Sequence, residues 1–313
     1  MSIIERMANL LGPVPRPRRK PSVAGDGAYT PELDLIERAV SEESERSDLP
    51  EEKDLAVEPE TRARPALPAR RFTRTLEVNL EMLRKQNIIT PDGQRTPIAE
   101  GFRRIKRHIL ANVTNAGAGA AANLVMVTSP LAEEGKTFCA INLAISIAME
   151  MDRTVLLVDA DVAKPSIPAV LGVKAENGLM DMLFDRGIDL ADVLCKTNID
   201  KFTLLPAGTE HQHATELLAS EAMSALLQEM AERYHDRIII FDSPPLLAAS
   251  EAGVLASRMG QIVMVVETGR TTETALKDAL ARIESCNVVG LLLNKGAASG
   301  PGYYYGGYGY GEK

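Results

Sequence analysis

Short, almost wholly apolar segments alternate with helical stretches from residue 123 onwards. Such continuous apolar runs are typical of strands that are buried on both faces of a sheet. Helical stretches of roughly 10–15 residues separate several of them, which indicates crossover connections between parallel strands. The pattern therefore predicts an α/β fold with a mostly parallel sheet flanked by helices. The predicted strands are Leu124–Thr128, Thr154–Val158, Phe202–Leu205, Ile238–Phe241, Ile262–Val266 and Val288–Leu293.

The residues before this region differ in composition. Residues 1–12 carry apolar side chains at helical spacing, which fits either an amphipathic docking helix or a frayed terminus. Residues 13–70 are rich in Pro, Glu, Ser and Arg and predict a disordered linker, because they cannot bury enough apolar surface to fold.

Residues 72–112 predict a helical extension that packs on, or assembles, the domain over residues 113–298. In its first helix Leu76, Leu80 and Leu83 are expected on one face. A second helix is expected from near Pro97. Its apolar face would carry Ile98, Phe102, Ile105 and Ile109.

The first predicted strand leads into a loop that ends Gly135-Lys136-Thr137, directly before a helix. A P-loop has the pattern G-x-x-x-x-G-K-[S/T] in this context, and Pro130 stands here at the first glycine position. In such loops backbone N–H groups point at phosphates, the lysine reaches the β- and γ-phosphates, and the Thr hydroxyl binds Mg²⁺. The motif predicts a P-loop NTPase that binds ATP and Mg²⁺ through Gly135, Lys136, Thr137 and Phe138.

Carboxylates follow two other predicted strands. Asp159 and Asp161 are two residues apart, so an extended chain directs both side chains to the same side. At a strand's carboxyl end they would lie in the ligand crevice of an open α/β sheet, although a solvated strand end fits the pattern equally well. Asp242 follows four apolar residues, as in a Walker B motif, and is expected to orient Mg²⁺-bound water.

Asn294 follows the last predicted strand directly. Its amide is suited to contact the adenine edge, and an ordinary turn is the alternative.

The composition excludes several classes of protein. Lys and Arg number 35 against 43 Asp and Glu, a net charge of −8, which argues against a nucleic-acid partner. The three scattered cysteines form neither a disulfide framework nor a CxxC site, and no apolar run is long enough for a transmembrane helix. A cytoplasmic protein is therefore expected. His211 and His213 lie close together without a third metal ligand nearby in sequence.

The motifs resemble those of the bacterial tyrosine kinases (BY-kinases) of capsule and exopolysaccharide systems, and more closely the cytoplasmic autokinases associated with exosortase loci. The resemblance covers roughly residues 95–313. Asp242 begins a full match to the family's DxPP motif. Asp159 and Asp161 match its DxDxRxP motif, in which Ala163 replaces the arginine.

Two further features carry the resemblance. Glu100 and Arg103 match the family's ExxRxxR ring-assembly motif, with Lys106 at the last arginine, and a solvated charged face is the alternative. The Gly-rich tail over residues 299–313 contains five of the seven tyrosines. The family also ends in a tyrosine cluster, which it phosphorylates. These tyrosines are Tyr303, Tyr304, Tyr305, Tyr308 and Tyr310.

The resemblance implies an ATP-dependent tyrosine autokinase that phosphorylates this tail in trans and regulates exopolysaccharide synthesis or export. It implies catalytic roles for Lys136, Asp159, Asp161 and Asp242, and Mg²⁺ ligation by Thr137, Asp159 and Asp242. It also implies a ring-shaped homo-oligomer and activation by a separate, membrane-anchored polysaccharide co-polymerase. Through that partner the protein would associate peripherally with the inner membrane.

Two other functions fit the same motifs. One is a non-catalytic, nucleotide-gated scaffold ATPase in a polysaccharide assembly. The other is a partition-type ATPase, which would carry a second lysine early in the P-loop, and residues 129–134 contain none.

Overall fold

A computed structural model describes residues 74–93, 95–114, 121–185, 187–234, 236–286 and 288–296. These residues belong to the unit Leu67–Lys313, one of two units into which the chain divides. The predicted N-terminal helix, the predicted linker and the tyrosine-rich tail lie outside the described residues.

The described part of the chain is built on an eight-stranded sheet in the order β1-β4-β5-β3-β6-β2-β7-β8. Neighbouring strands are parallel except β4 and β5, which are antiparallel. The predicted α/β fold is confirmed. The strands are β1 (Arg74–Leu76), β2 (Leu124–Thr128), β3 (Thr154–Asp159), β4 (Cys195–Thr197), β5 (Phe202–Leu205), β6 (Arg237–Asp242), β7 (Gln261–Glu267) and β8 (Val289–Asn294).

Helices flank this sheet, and the most deeply buried of them follows β2 directly. The helices are α1 (Leu80–Lys85), α2 (Pro97–Thr114), α3 (Lys136–Ala148), α4 (Ile167–Leu171), α5 (Leu179–Phe184), α6 (Leu190–Val193), α7 (Ala214–Leu218), α8 (Glu221–Arg233), α9 (Ser250–Ala256) and α10 (Glu273–Ala281). Every α3 residue from Cys139 to Ala148 is buried, because this helix lies between the sheet and α2. The residue that starts α3 is therefore held firmly beside the end of β2.

The six strands predicted from apolar runs are confirmed with small shifts at their ends. One further expectation for them is wrong. Val289, Leu291 and Leu293 of β8 are 36%, 40% and 49% exposed, because β8 is an edge strand that pairs, among the described strands, with β7 alone.

The predicted placement of Leu76 in a helix is also wrong, since it ends strand β1, which pairs with β4. Helix α1 begins only at Leu80, after the N-cap residue Asn79, whose side chain accepts the Met82 N–H. Such a cap fixes the first turn of a helix and marks where it starts. Both β1 and β4 are three residues long, too short to give a periodic signal in the sequence.

The second predicted helix is confirmed as α2, and it packs across α3. The rings of Phe102 and Phe138 meet edge to face, with their centroids 6.4 Å apart. Lys106 is buried between the two helices, where its ammonium donates to the Ser146 carbonyl at 2.8 Å and pairs with Glu150 at 2.6 Å. It therefore caps the last turn of α3, where carbonyls lack partners within the helix and a cation is favoured.

This position corrects the expectation that Lys106 stands beside Glu100 and Arg103 on an exposed assembly face. Those two residues form an ion pair at the surface, 42% and 38% exposed at their side chains. The Lys106 side chain is 9% exposed and is engaged inside the domain.

Replacing Lys106 with Met keeps the aliphatic stem but removes the cap. We expect Lys106→Met to lower the free energy of unfolding by about 2 kcal/mol, the value of a charge-assisted hydrogen bond. Urea unfolding checks this. Arg104→Met, an exposed position on the same helix, is the matched control and should change stability by no more than about 0.5 kcal/mol. Equal, small losses in both variants would contradict the buried position of Lys106.

Candidate active site

The site is formed where three neighbouring parallel strands end. Strand β6 lies between β3 and β2, so their carboxyl ends share one edge of the sheet. Asp159 and Asp242 are direct register partners across β3 and β6, and Val127 of β2 is paired with Asp242. The topology thus brings both predicted carboxylates to the loop that follows β2.

That loop turns sharply into α3. Gly135 has φ 91°, a left-handed conformation that is strained for residues with a side chain, and it forms the N-cap of the helix. The segment after β6 supports the loop from one side, since the N–H groups of Leu246 and Leu247 donate to the carbonyls of Ser129 and Pro130. Pro130 therefore takes part in the loop's shape although it replaces the expected glycine.

Lys136 begins α3 and joins the loop to the carboxylates. Its ammonium lies 2.6 Å from Asp161, and both side chains are largely buried, at 12% and 7% exposure. Asp159 instead accepts the backbone N–H groups of Ser166 and Ile167 at the start of α4, each at 3.1 Å. The two aspartates of the motif thus have different partners, one a cation and the other a helix start.

The buried charges shift one another's protonation. Burial raises the pKa of Asp159 to about 7, with the charge of Asp242 adding to the effect and the two backbone N–H groups opposing it. Burial also raises the pKa of Asp242 to about 6, against the charge of Lys136 and the nearby Thr137 hydroxyl. Burial alone would lower the pKa of Lys136, but the negative charges of the aspartates outweigh this effect and raise that pKa.

The site has polar atoms suited to a divalent cation. Within the described residues, both carboxylate oxygens of Asp242 and Oδ1 of Asp159 are buried without a hydrogen-bond partner. Unsatisfied buried carboxylate oxygens are costly, and they are the ligands that Mg²⁺ prefers. In the described part of the chain, no group of three or more His, Cys, Asp or Glu side chains could hold a metal, here or elsewhere. The residues present therefore fit Mg²⁺ held by few protein ligands.

Two of the residues predicted to contact the nucleotide have side chains that contact other parts of the protein. The Phe138 ring packs on Phe102 of α2, so only its backbone remains near the loop. The Asn294 side chain donates to the Glu134 carbonyl at 2.8 Å, so its amide nitrogen is engaged by the loop itself. A contact between Asn294 and adenine stays a prediction.

Glu134, Thr271 and Lys295 also belong to this site, and sequence reasoning missed them. Glu134 is fully buried and accepts hydrogen bonds from the Leu131 N–H and the Thr271 hydroxyl. Lys295 donates to the Glu133 carbonyl at 2.7 Å. Glu134 stands directly before the Gly-Lys-Thr motif, but nothing in the sequence marks it as buried.

The raised pKa values predict a pH dependence of stability. The unfolded chain has an Asp pKa of about 3.9, so the folded protein binds these protons more tightly. The contribution of Asp159 and Asp242 is thus fully present below about pH 4 and is lost as the pH rises to about 7. We expect Asp242→Asn to flatten this fall in the ligand-free protein, as measured by urea unfolding across that range.

The exposed Asp152 offers a control, since Asp152→Asn should keep the wild-type slope. A wild-type slope in Asp242→Asn would contradict the titration of this buried pair.

The chain is similar in sequence and in fold to known proteins. A family model described as an AAA domain matches residues 133–287. The tyrosine-protein kinase Wzc of Salmonella typhi is 32% identical over 191 residues, which cover 60% of this chain and 26% of Wzc. The putative tyrosine-protein kinase CapB of Staphylococcus aureus is 26% identical over 238 residues, which cover 74% of this chain and 100% of CapB.

Among solved structures, the BceF tyrosine kinase domain superposes with a TM-score of 0.54 at 27% identity, covering 62% of this chain and 76% of that domain. The chain spans about a quarter of the length of Wzc, whereas it spans CapB completely. The family model's range, residues 133–287, includes the end of the loop and the carboxylate-bearing strands β3 and β6. By sequence and by fold, the chain is similar to bacterial tyrosine kinases.

Proposed function

We propose that the protein is an ATP-dependent protein-tyrosine autokinase that phosphorylates its own tyrosine-rich tail in trans. The observation that carries the proposal is the Lys136–Asp161 pair, placed beside Asp159 and Asp242 at the shared edge of three strands. Phosphoryl transfer requires mainly positioning and neutralisation of charge, and this cluster provides a cation and several carboxylates in a buried position.

ATP is expected to bind with its phosphates over the loop and the start of α3. The negative charge of ATP competes with Asp161 for Lys136. The lysine ammonium would then move away from Asp161 and bind the β- and γ-phosphates. Asp161 is then free to accept a hydrogen bond from an incoming tyrosine hydroxyl. The exchange converts an internal ion pair into one group that binds ATP and one that orients the acceptor.

In the transfer step the phenolic oxygen forms a bond to the γ-phosphorus while the bond to the β,γ-bridging oxygen breaks. ADP leaves with that electron pair, and the phenolic proton passes to Asp161 and then to solvent. A carboxylate is a weak base for a phenol of pKa about 10, so its main task is alignment, with proton transfer late. Thr137, Asp159 and Asp242 would hold Mg²⁺, which supplies further neutralisation of phosphate charge.

The acceptors are proposed to be Tyr303, Tyr304, Tyr305, Tyr308 and Tyr310. Transfer in trans requires a second copy, and a ring-shaped homo-oligomer would supply it, with Glu100 and Arg103 at its contacts. Among the described residues, no helix is long and apolar enough to cross a bilayer. The family resemblance supports a membrane-anchored polysaccharide co-polymerase as activator, and a role in exopolysaccharide synthesis or export.

Mass spectrometry after incubation with MgATP tests the proposal. We expect phosphate on tyrosines between Tyr303 and Tyr310, and its loss in Lys136→Met, because that variant lacks the cation that binds the phosphates. Lys174→Met, a change at an exposed lysine, should retain phosphorylation. The cytosolic part of the candidate activator is included in every reaction.

Binding or hydrolysis of ATP without phosphotyrosine, even with that activator, would contradict the kinase proposal and favour a nucleotide-gated scaffold.

A further inference from the structure

The phosphate-binding loop has carbonyl groups that require partners outside the phosphate site. When successive N–H groups of a loop converge on an anion, their carbonyls diverge from it and must be satisfied elsewhere. Here the carbonyls of Glu133 and Glu134 accept hydrogen bonds from Lys295, at 2.7 Å, and from Asn294, at 2.8 Å. Two consecutive residues at the end of β8 thus hold two consecutive residues of the loop.

The contact leaves no free space between the two segments. A Cβ atom added to Gly135 would lie 2.1 Å from the amide nitrogen of Asn294. The glycine is therefore required both by its left-handed φ and by the close approach of Asn294.

A buried carboxylate joins the loop to the segment after β7. The Thr271 hydroxyl accepts the Glu267 N–H at 3.0 Å, so it has its proton free to donate to Glu134. The other oxygen of Glu134 accepts the Leu131 N–H at 2.8 Å. The Glu267 carboxylate also accepts a hydrogen bond from the Lys295 ammonium, at 3.1 Å. This bond connects the contacts made by Lys295 with those made by Thr271.

The backbone conformation at position 295 favours glycine, so the presence of Lys295 indicates a role for its side chain. Lys295 has φ 54° and Glu133 has φ 67°, both in the left-handed region that disfavours residues other than glycine or asparagine. Such conformations persist where surrounding contacts hold them, and they cluster at functional sites. The Lys295 ammonium bonds the carbonyl of the other strained residue, Glu133.

We propose that Asn294 and Lys295 are positioning residues that hold the phosphate-binding loop in its nucleotide-ready shape. They act through the carbonyls of Glu134 and Glu133, with the loop's N–H groups left to face the phosphates. This inference rests on the proposed binding of nucleotide at the loop, but not on transfer to tyrosine.

The test is the affinity for MgADP, measured by isothermal titration calorimetry on the full chain. Lys295→Gly relieves the backbone strain but removes the donor. We expect MgADP to bind about tenfold more weakly, the value of one charge-assisted hydrogen bond, while the relief of backbone strain offsets the lost bond and keeps the melting temperature near that of the wild type. Lys295→Arg keeps a cationic donor and should bind within about twofold of wild type.

Lys201→Gly is a matched control. Lys201 also has a positive φ, 60°, and its ammonium also donates to a backbone carbonyl, that of Glu150 at 2.9 Å. It lies just before β5, at the opposite end of the strands from the loop. Lys201→Gly should leave the MgADP affinity unchanged.

Wild-type affinity in Lys295→Gly would overturn the proposal, as would an equal loss in Lys201→Gly. This test does not depend on the proposed kinase activity. MgADP binding by the wild type, and its loss in Lys136→Met, report on the nucleotide site alone.

Discussion

The candidate site depends on one ammonium group placed among three carboxylates. Lys136 pairs with Asp161, and the charges of Asp159 and Asp242 add to the field that keeps it protonated. A buried charge without compensation would cost several kcal/mol, so neither the lysine nor the aspartates would be tolerated alone. The cluster balances its charges only in part, since burial still raises the pKa of Asp159 and Asp242. In such a site, the Lys136 ammonium can change its partner from the Asp161 carboxylate to a phosphate of a bound ligand.

The rest of the fold holds these groups in register. Strand order places β6 between β3 and β2, so that three strand ends meet, and the burial of α3 fixes the residue that begins it. Lys106 closes the far end of α3, while contacts from Asn294 and Lys295 reach the loop at its near end. The helix that presents Lys136 is thus held at both ends by residues distant in sequence.

Much of this was predictable because it depends on local patterns. Continuous apolar runs identified six strands, and strand–loop–helix context identified the loop with Lys136 and Thr137. Parallel strands necessarily place their carboxyl ends at one edge, which brought Asp159 and Asp242 together. The failures involve tertiary contacts instead. Lys106 follows the charge spacing of an exposed face but turns inward to a helix end, and three-residue strands such as β1 form only by pairing. The roles of Glu134 and Lys295 depend on hydrogen bonds across more than 130 residues of sequence, which no local pattern reports.

Asp161 pairs with Lys136 in the ligand-free site and is proposed to orient the tyrosine once ATP has bound. The most direct measurement is the rate at which Asp161→Asn forms phosphotyrosine on the tail at a concentration of MgATP shown to saturate the variant. We expect this variant to bind nucleotide at least as tightly as wild type, because phosphate no longer competes with the carboxylate, but its tail phosphorylation should fall by at least about 100-fold. Phosphorylation at the wild-type rate by the saturated variant would show that Asp161 does not orient the tyrosine.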